Sequence, residues 1–162
     1  MLLEFIKSGT YFASGAYFPG ATLQMGLPAE WHFEVARTNH RLHIDGTYRH
    51  HEGTVSHPLR LEIEIDEAQA GRGRFHLNSY HTGRMDGIAA SIGHECCFLG
   101  RGPESTDATV SMHVFQDADF IFNVSGLLVL DNNKSIAFGL NVVLNDPLLA
   151  TSKVVSITKG RA

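Results

Sequence analysis

Phe120-Ile121-Phe122-Asn123-Val124-Ser125-Gly126-Leu127-Leu128-Val129-Leu130, then Asp131-Asn132-Asn133-Lys134, then Ser135-Ile136-Ala137-Phe138-Gly139-Leu140-Asn141-Val142-Val143-Leu144, is the stretch whose reading decides the fold. Both flanks are rich in Phe, Val, Ile and Leu, and only Asp131 and Lys134 carry charge. Two β-rich runs around a short Asp/Asn turn predict a β-hairpin, because Asn and Asp tolerate the left-handed backbone that tight turns require.

The rest of the chain repeats this pattern in shorter units. Strands are expected over Leu2 to Phe12, Glu30 to Arg37, Arg41 to Arg49, Leu59 to Asp66, Gly73 to Tyr80 and Gly87 to Ala90. Further ones are expected over Gly93 to Leu99, Ala108 to Phe115, Phe120 to Leu130, Ser135 to Leu144 and Lys153 to Thr158. Clusters of Gly, Asn, Asp, Pro and Ser separate them, and no long stretch carries the 3.6-residue period of an amphipathic helix. Helical geometry is expected only in short turns near Ser14 to Gly20, Glu67 to Ala70 and Asp146 to Thr151.

An open antiparallel sheet of nine or ten strands would expose long unpaired edges, so it must close into a barrel or pack as two sheets. Sequential hairpins favour an all-β, antiparallel up-and-down barrel over a two-sheet sandwich. Without internal repeat, low-complexity tract or linker, residues 1 to 162 read as one domain.

The strand period of two assigns side chains to faces. Leu61, Ile63 and Ile65 alternate with Glu62, Glu64 and Asp66, the clearest inside/outside pattern in the chain. The same parity sends Trp31, Phe33, Val35, Leu42, Ile44, Tyr48, Phe75, Leu77, Cys96, Phe98, Val110, Met112 and Val114 inward. In the 120 to 144 hairpin both parities are uncharged, which predicts a second covered face. A docked N-terminal segment or a second copy in a homodimer would provide the cover.

Composition excludes several partners. The chain has 13 Lys and Arg, scattered, and a formal net charge of -4, so it carries neither a nucleic-acid footprint nor a basic membrane face. Met1 to Lys7 has an acid within a very short apolar stretch and no basic leader, so a cytoplasmic protein is expected. Cys96 and Cys97 are adjacent, and adjacent strand residues point to opposite faces, so two free thiols are expected rather than a disulfide.

No catalytic or cofactor motif is present. Gly71-Arg72-Gly73-Arg74 lacks the strand-loop-helix context of a phosphate loop, and Ser79 lacks a nucleophile-elbow context. Nine of the ten histidines lie between His32 and His94, which makes that part of the chain the place for acid-base chemistry. Most histidines on an alternating β surface are simply solvated. The groups His40/His43, His50/His51/His57 and His76/His81 have no familiar metal-ligand spacing, so neither metal nor cofactor is expected.

Polar groups that share parity with the core are the remaining candidates. His94, Tyr48 and Arg37 are the expected acid-base and charge-stabilising set, with Trp31, Phe33, Phe75, Ser79, His81, Phe98, Phe122 and Phe138 as the ligand-binding wall. The strand succession, the length and Gly9-Thr10-Tyr11 near the start resemble the calycin class, the lipocalins and fatty-acid-binding proteins. Tyr11 stands where that class carries a Trp of its Gly-x-Trp signature, and the single Trp is Trp31. The resemblance implies a one-cavity barrel for a small hydrophobic or aromatic molecule, and some barrels of this type act as isomerases or cyclases.

Three functions therefore follow from the sequence. The first is a small-molecule-binding barrel. The second is a cofactor-free isomerase, cyclase or lyase using the same cavity. The third is an oligomeric subunit that associates through the hairpin.

Overall fold

A computed structural model describes residues 2–20, 26–50, 55–130 and 134–145, the side chain of residue 50 excepted. Its strands are β1 (Gly9–Pro19), β2 (Leu27–Arg37), β3 (Arg41–His50), β4 (His57–Ile65), β5 (Arg72–Ser79), β6 (Gly83–Ile92), β7 (Glu95–Arg101), β8 (Thr109–Ala118), β9 (Ile121–Val129) and β10 (Ser135–Leu144). Each strand pairs antiparallel with its sequence neighbours, and β1 pairs with β10 from Tyr11↔Leu144 to Pro19↔Ile136. The sheet closes as an up-and-down barrel. Closure leaves no free edge in the ladder, the reason this architecture wins over a sandwich.

Alternation supplies the core. Leu42, Ile63, Phe75, Met85, Cys96, Phe98, Val110 and Val142 are buried inside, while acids, arginines and histidines of the same strands face out. Bulky rings fit where glycines on the neighbouring strands leave room beside them. A β-carbon on Gly87 or Gly100 would lie 2.5 Å from the Phe75 ring, and one on Gly126 would lie 2.6 Å from the Phe138 ring.

The outer surface has two characters. Over β2 to β6 it is a lattice of charges, with Arg60 to Asp45 at 3.0 Å and Arg41 to Glu64 at 3.1 Å in cross-strand register and Arg84 to Asp86 at 3.2 Å along β6. Over β7 to β10 and β1 the outward residues are almost all uncharged, among them Leu99, Ser111, Ser125, Leu127, Ala137 and Ser14. No helix among the described residues is long and apolar enough to cross a membrane, a statement that does not bear on strands.

Several expectations need correction. The N-terminal strand over Leu2 to Phe12 is instead a turn followed by the start of β1, and Ser14 to Gly20 is strand up to Pro19 rather than a helical turn. Adjacent Leu2 and Leu3 are both buried, with Ile6, a spacing that a two-faced strand cannot satisfy. These three side chains plug one end of the barrel, and Phe5 packs edge-on against Phe122 at 6.0 Å. The N-terminal segment thus fills the barrel end and does not cover the outer face of the late hairpin.

Phe120 also falls outside the strand expected to begin with it. It sits in the β8–β9 turn with φ of 64°, after a register shift between Gln116 and Ala118, and it is exposed. The expected turn at Asp131 to Asn133, the strand over Lys153 to Thr158 and the turn over Asp146 to Thr151 lie outside the described residues.

Candidate functional site

Ten strands enclose a wider interior than eight, and here aromatic and branched side chains fill most of it. Two chambers remain, stacked along the barrel axis. The lower, of about 70 Å³, lies above the N-terminal plug and is walled by apolar side chains, including Leu3, Ile6, Phe33, Phe98 and Phe122. The upper, of about 90 Å³, lies below Tyr48, Ser79, His81 and Thr82 and is flanked by Tyr17 and Phe138. Trp31, Leu59, Leu61, Met112 and Leu140 line both, so this layer separates one chamber from the other.

The upper chamber owes its polar roof to the way β3, β4, β5 and β6 meet. Tyr48 pairs with His57, Leu59 with Ser79, and Ser79 with Gly83, so one level of the barrel carries the inward hydroxyls of β3 and β5 and the β5–β6 turn. The Ser79 Oγ and Thr82 Oγ1 are 2.7 Å apart, the Thr82 amide donates to Ser79 Oγ at 3.2 Å, and the Thr82 hydroxyl donates to the Gly83 carbonyl at 3.0 Å. Rings close the rim. His57 stacks on Tyr80 with centroids 4.4 Å apart and lies 5.3 Å from His81, and Tyr48 lies 5.6 Å from both histidines.

Electrostatics keep this end neutral. Burial raises the Tyr48 pKa, opposed by hydrogen bonds with the His81 main chain and the Ser79 side chain. At the rim His81 is exposed on one side, and partial burial lowers its pKa, with His57 adding to the effect, so the imidazole is uncharged at neutral pH. No Asp, Glu, Lys or Arg among the described residues lines either chamber.

The three residues expected to share a catalytic site do not meet. Tyr48 caps the upper chamber, but Arg37 ends β2 at the plug, where Nη1 donates to the Leu3 carbonyl at 2.7 Å and Nη2 to the Leu2 carbonyl at 3.0 Å. His94 was expected to point inward with Cys96 and Phe98. It lies before β7 in the β6–β7 turn, where Gly93 at φ of 61° breaks the alternation, and it is exposed and bonded to Gln116 at 2.9 Å. That turn is at the plug end, since β6 starts at Gly83 beside Ser79 and runs away from Tyr48.

The ligand-wall residues fare differently. Phe33, Phe98 and Phe122 line the lower chamber, Ser79, His81 and Phe138 the upper, and Trp31 both. Phe75 lines neither: its ring is fully buried in the wall, edge-on to Phe98 at 5.5 Å. Tyr17 and Thr82 were missed, the first because its stretch reads as a turn, the second because it lies between strands. Among the described residues no three or more His, Cys, Asp or Glu side chains are grouped to hold a metal ion. No protein-family model matches the chain, and no curated protein matches it.

Proposed function

We propose that this protein binds a small apolar or aromatic molecule in the stacked chambers, entered from the Tyr48 end. The observation that carries the reading is enclosed space inside the barrel, walled by Trp31, Phe33, Phe98, Phe122 and Phe138 and roofed by a few hydrogen-bonding groups. An apolar body with one polar contact point is the usual make-up of a small-molecule site. Two thiols without a disulfide suit a cytoplasmic setting.

Trp31 is the single tryptophan and borders both chambers, so it reports on occupancy directly. Titration with toluene and related single-ring compounds should change its fluorescence saturably, and Leu61→Phe, which fills the shared wall without adding a second tryptophan, should abolish the response. A flat titration across such compounds refutes the reading.

The enzyme alternative, a cofactor-free isomerase, cyclase or lyase, would rest its proton transfer on Tyr48 and His81 with Ser79 beside them, not on Arg37 or His94. Association with a second copy is the further reading, favoured by the largely uncharged outer half of the barrel, where the exposed charges are Glu95, Arg101 and Asp117 of β7 and β8. Five strands at about 4.8 Å and about eight residues at about 3.3 Å give a face of roughly 600 Å² per copy. Doubled, this reaches the lower bound of stable interfaces, about 1,200 Å².

A further inference from the structure

We infer that the upper chamber selects a compact, uncharged ligand bearing a hydroxyl group, and rejects the carboxylate of the same skeleton. This deepens, and rests on, the reading of the interior as a ligand site.

Proton bookkeeping at the roof supplies the first argument. The Thr82 hydroxyl donates to the Gly83 carbonyl, which leaves the Ser79 hydroxyl as the donor in its 2.7 Å contact with Thr82 Oγ1. The Thr82 amide donates to Ser79 Oγ in turn. Each hydroxyl has one proton and two lone pairs. Both protons are therefore committed and Tyr48 also hydrogen-bonds the Ser79 side chain, while the Thr82 oxygen, which among the described residues accepts from Ser79 alone, retains a lone pair. A ligand that brings its own proton, such as an alcohol or phenol, matches this roof. A carboxylate brings only acceptors.

Charge supplies the second. The nearby arginines are paired on the outer surface, Arg60 with Asp45, Arg84 with Asp86 and Arg49 with Glu30. No cation among the described residues lines the upper chamber. Desolvating an ionised carboxylate without a partner costs several kcal/mol, so discrimination of at least thirtyfold follows.

Size supplies the third. A cavity of about 150 Å³ accommodates benzene, whereas the chambers measure about 90 and 70 Å³ and share the Trp31 layer. A short branched skeleton fits the upper chamber as it stands, whereas a single ring fits only by spanning both chambers and displacing side chains of the Trp31 layer between them, its hydroxyl at the Thr82 end.

The test uses Trp31 fluorescence at pH 7 with three probes of one skeleton: toluene, benzyl alcohol and benzoate. Benzyl alcohol is expected to bind at least thirtyfold more tightly than benzoate. In Ser79→Ala and, separately, Thr82→Val, each confirmed as folded by circular dichroism, the affinity ratio of benzyl alcohol to toluene should fall about fivefold. Benzoate binding within tenfold of benzyl alcohol, or an unchanged alcohol-to-toluene ratio in both folded variants, overturns the inference while toluene binding leaves the chamber reading standing. Failure of all three probes to bind overturns the chamber reading itself.

Discussion

Replacing Arg37 with methionine should loosen the barrel end rather than switch off a reaction. Its guanidinium gives two well-formed bonds to the Leu3 and Leu2 carbonyls, at 2.7 and 3.0 Å, and a long one to the Ile6 carbonyl at 3.4 Å. Charge-assisted bonds contribute about 1.5 to 3 kcal/mol each. Two offsets apply. The carbonyls lie at the barrel end and are partly rehydrated once released, and burial, which lowers the Arg37 pKa, already charges a desolvation cost that methionine avoids. The net loss is about 2 to 4 kcal/mol, which for a chain of this size lowers Tm by about 5 to 15 °C. Thermal and urea melts followed by circular dichroism read this directly. Arg37→Lys should fall between the two, because one ammonium cannot span the carbonyls that the planar fork reaches. A methionine variant melting within 2 °C of the parent would refute the clamp.

The two cysteines should behave as opposites. Cys96 is buried and its pKa is pushed up to about 12, chiefly by that burial, whereas Cys97 is exposed, so iodoacetamide at pH 8 should modify one thiol per native chain and two after denaturation. Because the unfolded thiol ionises near 9.0 and the native one near 12, stability should fall as pH rises through that window, by roughly 4 kcal/mol at its end, and Cys96→Val should remove this part of the alkaline loss. Light scattering tests the second-copy reading: a dimer that Leu127→Lys with Ala137→Lys converts to a monomer supports it, and a monomer of the parent protein at high concentration sinks it.

Face assignment was legible in the sequence, and height was not. Strict alternation placed Leu61, Ile63 and Ile65 inside and their acidic neighbours outside, as found. It also brought Trp31, Phe33, Phe98, Phe122 and Phe138 to the chamber walls. Parity alone says nothing about position along the barrel axis, which depends on which residues pair across strands. Arg37, Tyr48 and His94 looked equivalent for that reason, and the pairing register puts Arg37 and His94 at the plug end and Tyr48 at the opposite end of the barrel. Alternation also fails wherever the backbone turns, which is how Gly93 displaced His94 and the positive φ of Phe120 displaced its ring. One warning was readable. Leu2 and Leu3 side by side, with Ile6 beyond, spell a turn that buries consecutive residues rather than a strand.

The two barrel ends impose a direction on any ligand. At one end Leu2, Leu3 and Ile6 are buried beneath their own turn, held by Arg37 and by the Tyr11 hydroxyl, which donates to the Lys7 carbonyl at 2.9 Å. A molecule arriving there would have to displace three apolar side chains. At the other end stand imidazoles, phenols and hydroxyls, groups that tolerate water when the site is empty and hydrogen-bond when it is filled. Polarity then decreases with depth, from the Ser79 and Thr82 hydroxyls past Trp31 to the lower chamber. A ligand entering from the Tyr48 end lowers its desolvation cost by leading with its apolar part, so its polar group arrives last and stays at the roof. The same gradient places any chemistry at that roof: a proton-transfer step needs groups that exchange protons, and of the side chains that line the two chambers these are Tyr17, Tyr48, Ser79, His81 and Thr82, all on the upper one.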